Sequence, residues 1–131
     1  MALATTFKEL TVWQQSMDVA MSVFNLSKRF PPDERYSLTD QISRASRSVA
    51  SNTAEAWRKR RYEAAFVSKL NDSEGEAAET QTRIEVARRC GYVTDAEATA
   101  IDQACEAILA QLSSMIASSA RWCTGFDKKL P

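Results

Sequence analysis

Histidine is absent from these 131 residues. Its absence removes the commonest general base near neutral pH, the Ser-His and Cys-His nucleophile pairs, and the usual imidazole ligand of transition metals. Two helical readings go with it. The carboxylate-bridged di-metal bundle needs Glu-x-x-His pairs, and small helical ribonucleases depend on a His after an Arg. Glycine and proline are scarce, at three each. A fold of many short strands needs a turn signal about every 10 residues, so this composition predicts a few long helices instead. The three cysteines, Cys90, Cys105 and Cys123, form an odd set without CxxC spacing and suggest neither a disulfide framework nor a zinc knuckle. No basic segment precedes an apolar run of leader length, and no stretch approaches the ~18 uncharged apolar residues of a membrane span. A soluble, cytoplasmic protein without a cofactor is expected.

What is present is helical patterning. Four segments carry apolar positions spaced alternately three and four apart, the mark of a helix face that keeps meeting a partner helix. The first runs Val12, Ser16, Val19, Val23, Leu26, Phe30 and stops at Pro31-Pro32, because proline lacks the helical N–H and disfavours helix in the residue before it. The second runs Leu38, Ile42, Ala45, Val49, Asn52, Ala56, with Ser37 or Thr39 as its cap. Its side chains are small, which predicts a closely hemmed helix. Between Arg58 and Tyr62 neither Gly nor Pro occurs, leaving a short turn and a kinked continuation both open. The third seam, Phe66, Leu70, Ser73, Ala77, Thr80, Ile84, Ala87, ends at Gly91. The fourth begins at Thr94-Asp95-Ala96-Glu97 and continues through Ala98, Ile101, Cys105, Ile108, Leu112 and Met115 to Ser119 and Trp122.

Short connections between long helices predict a single all-α domain over residues 1–131, an antiparallel up-down-up-down four-helix bundle. Its ordered core is expected at about 7–122, with 124–131 a loose tail. Ser16, Asn52, Ser73, Thr80 and Ser119 fall at nominal core positions, where an unpaired polar group costs ~1–3 kcal/mol. They must bond to one another or to helix carbonyls, or face a wetter subunit interface. The apolar stripe of the first helix, which includes Trp13, is wider than one bundle interior needs. Both features favour self-association.

The 17 Lys and Arg balance the 17 Asp and Glu overall, yet charge is concentrated locally. Between Tyr36 and Arg61, six bases (Arg44, Arg47, Arg58, Lys59, Arg60, Arg61) face two acids (Asp40, Glu55), a net +4. A basic edge repeated around an oligomer would contact phosphates without making any subunit basic, and Trp57 and Tyr62 beside the run could stack on unpaired bases. The plainer account is a solvated helix end, or a basic edge paired with the acidic Glu74 to Glu85 stretch of a neighbouring subunit. That alternative is a homo-oligomeric protein-interaction scaffold. The acids Asp72, Glu74, Glu76, Glu79 and Glu85 lack calcium-ligand spacing and read as a solvated face. Cys105 and Cys90 fall on or beside apolar seams and read as packing. With no acid–base machinery, no catalytic, cofactor-binding or metal-binding residue is assigned, and no enzyme is expected.

Phe7-Lys8-Glu9-Leu10-Thr11-Val12-Trp13-Gln14, then Phe30-Pro31 with Glu34, Tyr36 to Ile42, Arg44-Ala45, Ser48, Ser51-Asn52, Ala54-Glu55, and finally Gly91-Tyr92 stand in an order and spacing of some specificity. Over about residues 7 to 122 the chain resembles the four-helix-bundle family of 23S rRNA intervening-sequence proteins. The resemblance implies a left-handed antiparallel bundle that assembles into a ring, typically a homopentamer, and it implies no catalytic residue. Some members are encoded within insertions in ribosomal RNA genes. Relatives act as accessory proteins of diversity-generating retroelements, where a basic surface engages nucleic acid and a reverse transcriptase. The implied partners are thus further copies of the chain and RNA or other nucleic acid, through Arg44, Arg47, Trp57, Arg58, Lys59, Arg60 and Arg61. The motif centre, Ser51, Asn52 and Glu55, joins Trp13 as the expected oligomer interface. The family's usual Pro is Ala50 here and its usual Gly is Ala56, which eases a continuous helix through Trp57.

Overall fold

The computed structural model describes residues 4–123, so the tail expected at 124–131 lies outside the described residues. A 3-10 turn at Phe7–Glu9 leads into helix α1 (Thr11–Ser27), and a second at Pro32–Glu34 precedes α2 (Leu38–Arg58). Helices α3 (Glu63–Arg89), α4 (Asp95–Ala117) and the short α5 (Ser119–Cys123) follow, and no strand occurs among the described residues.

The boundaries follow from local chemistry. The α3 helix ends where Gly91 adopts φ 78°, with the Tyr92 amide donating to the Ala87 carbonyl at 2.9 Å and the Gly91 amide to Arg88 at 3.0 Å. This pair of bonds closes a helix through a left-handed residue, which glycine adopts without steric cost. At the start of α4 the Thr94 hydroxyl accepts the Glu97 amide at 3.1 Å while Glu97 accepts the Thr94 amide at 2.9 Å, a reciprocal cap. The cap expected from Ser37 or Thr39 is not formed. Glu34 instead accepts the Leu38 amide at 3.3 Å, because the 3-10 turn brings its longer side chain back over the helix start.

The α2 helix runs through Ala56, fully buried, to Arg58, and the chain then reverses over residues 59–62. The connection is therefore a turn, not a kinked continuation. The fourth seam differs from a single long helix. It breaks at Ser118, whose hydroxyl bonds back to the Ser114 carbonyl at 2.9 Å, and α5 sets off afresh. Partners across the helices run in opposite order. Lys69 of α3 meets Glu55 of α2 while Ser73, further along α3, meets the earlier Val49; Gln81 of α3 meets Glu106 of α4 while the earlier Glu74 meets the later Ser113. Those pairs are antiparallel. The α1 and α3 helices each pack on both α2 and α4, so they stand diagonally across one core.

That core is centred on Ile42, Ala56, Phe66, Leu70, Ala77, Ala87 and Leu112, all fully buried. The polar seam residues are satisfied inside the chain. Ser16, Thr53 and Thr80 donate to carbonyls one turn back (Val12 at 2.7 Å, Val49 at 2.8 Å, Glu76 at 2.9 Å), and Ser119 donates to Glu63 at 2.7 Å. Ser73 reaches across from α3 to both the Val49 carbonyl and the Thr53 hydroxyl, each at 3.0 Å. The expectation for Asn52 is corrected: Thr53 occupies the seam, and half-buried Asn52 sits at its edge, accepting from Lys69 at 3.5 Å. Cys105 and Cys123 are buried, whereas Cys90, just beyond the last residue of α3, is exposed. Burial pushes the Cys105 thiol up to about 12.

Candidate nucleic-acid interface

Positions 44, 47, 51, 55 and 58 stand three or four apart, so on α2 they line one stripe. Arg44, Arg47, Ser51, Glu55 and Arg58 are all exposed on it. Arg44 pairs with Asp40 one turn back at 3.2 Å while its side chain stays 75% exposed. Arg47 has no carboxylate within ion-pair distance among the described residues. At a rise of about 1.5 Å per residue, Arg47 stands ~16 Å and Arg44 ~21 Å up the rod from Arg58.

The remaining bases lie where α2 turns into α3. Arg58, Lys59 and Arg61 are exposed, again with no carboxylate partner among the described residues. The Glu55 carboxylate, the nearest acid on the stripe, is engaged elsewhere: Lys69 of α3 binds it at 2.8 Å. That bond holds Glu55 below the ordinary carboxylate range and Lys69 above the ordinary ammonium range. One local acid is thereby engaged from the α3 side; Lys59 also feels its field, while Arg58 and Arg61 have no carboxylate within ion-pair distance among the described residues.

Two expected contacts must be corrected. Trp57 is 6% exposed, with its ring edge-on to Trp122 of α5 at 6.5 Å, so it is a core side chain and offers no face to a nucleobase. Arg60 folds back onto it, its guanidinium 3.4 Å from the Trp57 ring centroid and its Nε donating to the Trp57 carbonyl at 2.8 Å. Partial burial there pulls the guanidinium below its ordinary range. Tryptophan followed three residues later by arginine is the spacing at which side chains meet on a helix end, and that signal was available in the sequence. Tyr62, 60% exposed, remains the accessible ring beside the bases. A further cation joins this end unannounced: α5 carries exposed Arg121 next to Trp122, which packs on Trp57.

The model of the 23S rRNA-intervening sequence protein family matches residues 8–114. The chain belongs to that family. Among solved structures, a protein of unknown function from the S23 ribosomal protein family of Bacteroides thetaiotaomicron is similar to it, at a TM-score of 0.73 and 29% identity over 81% of this chain and 98% of that one. No curated protein matches.

In this 23S rRNA-intervening sequence family member the other expected contact residues are dispersed. Trp13, half-buried, packs edge-on against Phe7 at 5.4 Å near the start of α1. Ser51 is exposed and bonds the Arg47 carbonyl at 3.3 Å, while Asn52 and Glu55 share Lys69. The α3 acids are likewise used locally. Glu79 meets Arg83 at 3.1 Å, Glu85 meets Arg88 and Arg89 at 2.6 and 2.9 Å, and Glu74 accepts from Ser113 at 3.0 Å. No helix among the described residues is long and apolar enough to cross a membrane.

Proposed function

We propose that this family member is a non-enzymatic, self-associating helical bundle, a ring of the kind its family implies with five subunits, that binds RNA or other nucleic acid through the α2–α3 end. The observation that carries this reading is the group of Arg58, Lys59 and Arg61, exposed together with no carboxylate within ion-pair distance among the described residues. Arg44 and Arg47 extend the cationic track along the side of α2, and Arg121 adds to the end. Unmatched cations on a neutral chain suit a polyanion, whose condensed counterions are released as each phosphate is neutralised. A scaffold whose basic edge merely pairs with the acids of α3 is less well supported, because Glu74, Glu79 and Glu85 already bond a serine or arginines of their own chain.

The test is fluorescence anisotropy with labelled RNA and DNA oligonucleotides between about 50 and 200 mM salt, a range over which phosphate contacts declare themselves. Affinity is expected to fall steeply with salt. The triple substitution Arg58→Ala, Lys59→Ala, Arg61→Ala should reduce the logarithmic slope by ~2 on a single strand, at about 0.7 for each phosphate no longer neutralised. An affinity and slope untouched by the triple variant would remove these residues from the interface.

A further inference from the structure

Tyr62 occupies the position that opens α3 and serves neither of the structural ends that position invites. Its backbone is extended, at φ −124° and ψ 119°, and its side chain makes no capping hydrogen bond to the first amides of the helix. A Ser, Thr, Asp or Asn there would satisfy one of those amides, as Thr94 does for α4. Nor does the ring pack. It is 60% exposed, and among the described residues it meets no other ring and its hydroxyl bonds to nothing. A single exposed aromatic needs no explanation by itself. One that displaces a helix cap without packing breaks a local rule uncompensated, and such places are where function is expected.

The surroundings of the ring are cationic. The Tyr62 amide donates to the Lys59 carbonyl at 3.1 Å, so Lys59, Arg61 and the ring are carried on one closed reversal of the chain. Glu63, the next residue, is held toward α5, its carboxylate accepting the Ser119 hydroxyl at 2.7 Å. Other rings near arginine are already covered. The Arg60 guanidinium lies over Trp57, and Arg35 lies over exposed Tyr36 at 5.4 Å, whereas no cation lies over Tyr62 among the described residues. The same end is poorly made for reading a duplex. A helix reads base edges with polar side chains near its start, inserted in the major groove. After Tyr62, α3 begins with Glu63, Ala64 and Ala65, which offer one carboxylate and two methyls. A duplex also turns its base faces inward, where an open ring cannot reach them.

We infer that the α2–α3 end takes an unpaired strand, with Tyr62 stacking on a base while Lys59 and Arg61 hold neighbouring phosphates. This rests on the nucleic-acid reading proposed above and names its substrate class: single-stranded RNA or DNA, bound without sequence preference. Every base has a π-face, so a stacking platform beside cations accepts any of them, and the cations follow the backbone whatever its sequence. The ring and the bases contribute differently. Stacking adds affinity without neutralising a phosphate, so Tyr62 acts on the strength of binding and the cations on its salt dependence.

The experiment is fluorescence anisotropy on the full chain with a mixed-sequence oligonucleotide, presented as single-stranded RNA, as single-stranded DNA, as the DNA duplex and as an abasic strand that keeps its phosphates. Wild type is expected to bind the single strands more tightly than the duplex or the abasic strand, and the tighter of RNA and DNA identifies the source of the strand. Tyr62→Ala should weaken single-strand binding by about 5- to 150-fold, the loss of one stacked base, with the logarithmic salt slope unchanged. Tyr62→Phe should retain the affinity, since the ring alone stacks, and duplex binding should ignore both changes. Circular dichroism melts confirm that the variants fold. A measurement that needs no variant accompanies them: a fluorescent adenine analogue in the single strand should lose emission on binding wild type as it stacks. Single-strand affinity untouched by Tyr62→Ala, or a duplex and an abasic strand bound as tightly as the single strand, overturns the inference while phosphate contact stands. Absence of binding to every oligonucleotide removes the nucleic-acid reading itself, and this inference with it.

Discussion

The Tyr92 hydroxyl donates to Glu34 at 2.8 Å, and the other oxygen of the same carboxylate accepts the Leu38 amide at 3.3 Å. One side chain from the turn before α2 thus caps that helix and ties it to the turn before α4, while Tyr92 also packs on Phe30 at 5.5 Å. The hydrogen bond to Glu34, with burial, pushes the Tyr92 phenol up to about 12 from an ordinary 10.0. A raised value means the stabilisation is complete below pH 10 and is lost as the pH climbs toward 12. Urea unfolding over that range should show the decline, and Tyr92→Phe should flatten most of it. The buried Cys105 thiol, raised in the same direction, accounts for a residue of alkaline sensitivity in the variant.

At the acid side the sign reverses. Glu85 is held down to about 2 by hydrogen bonds from Arg88 and Arg89, and Glu97 is lowered first by the Thr94 amide and then by Arg29. Depressed carboxylates contribute above their unfolded value of 4.5 and stop contributing as the pH falls through the folded one. Thermal melts should therefore show stability dropping from about pH 4.5 downward. Glu97→Gln should be less stable than wild type at pH ~7, and the gap should close as the pH falls through the lowered folded value of Glu97.

The α2–α3 contact is close enough to discriminate by size. Ser73 is fully buried with its hydroxyl against the Val49 carbonyl. Ser73→Ala removes a hydrogen bond and should cost ~1 kcal/mol in denaturant unfolding. Ser73→Val adds methyls where the backbones approach and should cost ~1–3 kcal/mol from overpacking as well. Equal losses for the two would mean that the helices stand further apart.

Adjacent arginines at the α2–α3 end should behave differently. Arg60→Ala strips the cation from the Trp57 face and should lower stability by ~0.5–2 kcal/mol while leaving the salt slope of oligonucleotide binding unchanged. Arg61→Ala should leave the melting temperature in place and reduce that slope by ~0.7 on a single strand. Reversed results would exchange their roles.

The four helices were legible because their seams repeat at three and four over many turns, and because Gly91 and the Thr94–Glu97 box mark ends by chemistry that acts within one turn. The errors share a cause. Asn52 and Thr53 are neighbours of similar polarity, and only the partner helix decides which one turns inward. Here Ser73 and Val49 select the hydroxyl that can bond back to its own helix. Trp57 looked available because it adjoins four bases, yet Trp122, which buries it, is 65 positions away. Arg121 carries no local signal either, since its place beside the α2–α3 end is set by tertiary packing. Ser118 carries no helix-breaking residue type, so the hinge before α5 had no local signal.

The α2 and α3 helices are joined by four residues and pinned by the Ser73–Val49 bond and the Lys69–Glu55 pair. Closing so short a loop carries little entropic penalty, so this hairpin is the unit able to persist when the flanking helices momentarily detach. Its inward amides, around Val49 to Ala56 and Leu70 to Ala77, should be the slowest in the protein to exchange their protons for deuterium. Those at the ends of α1 and α5 should exchange through fraying long before the molecule opens as a whole.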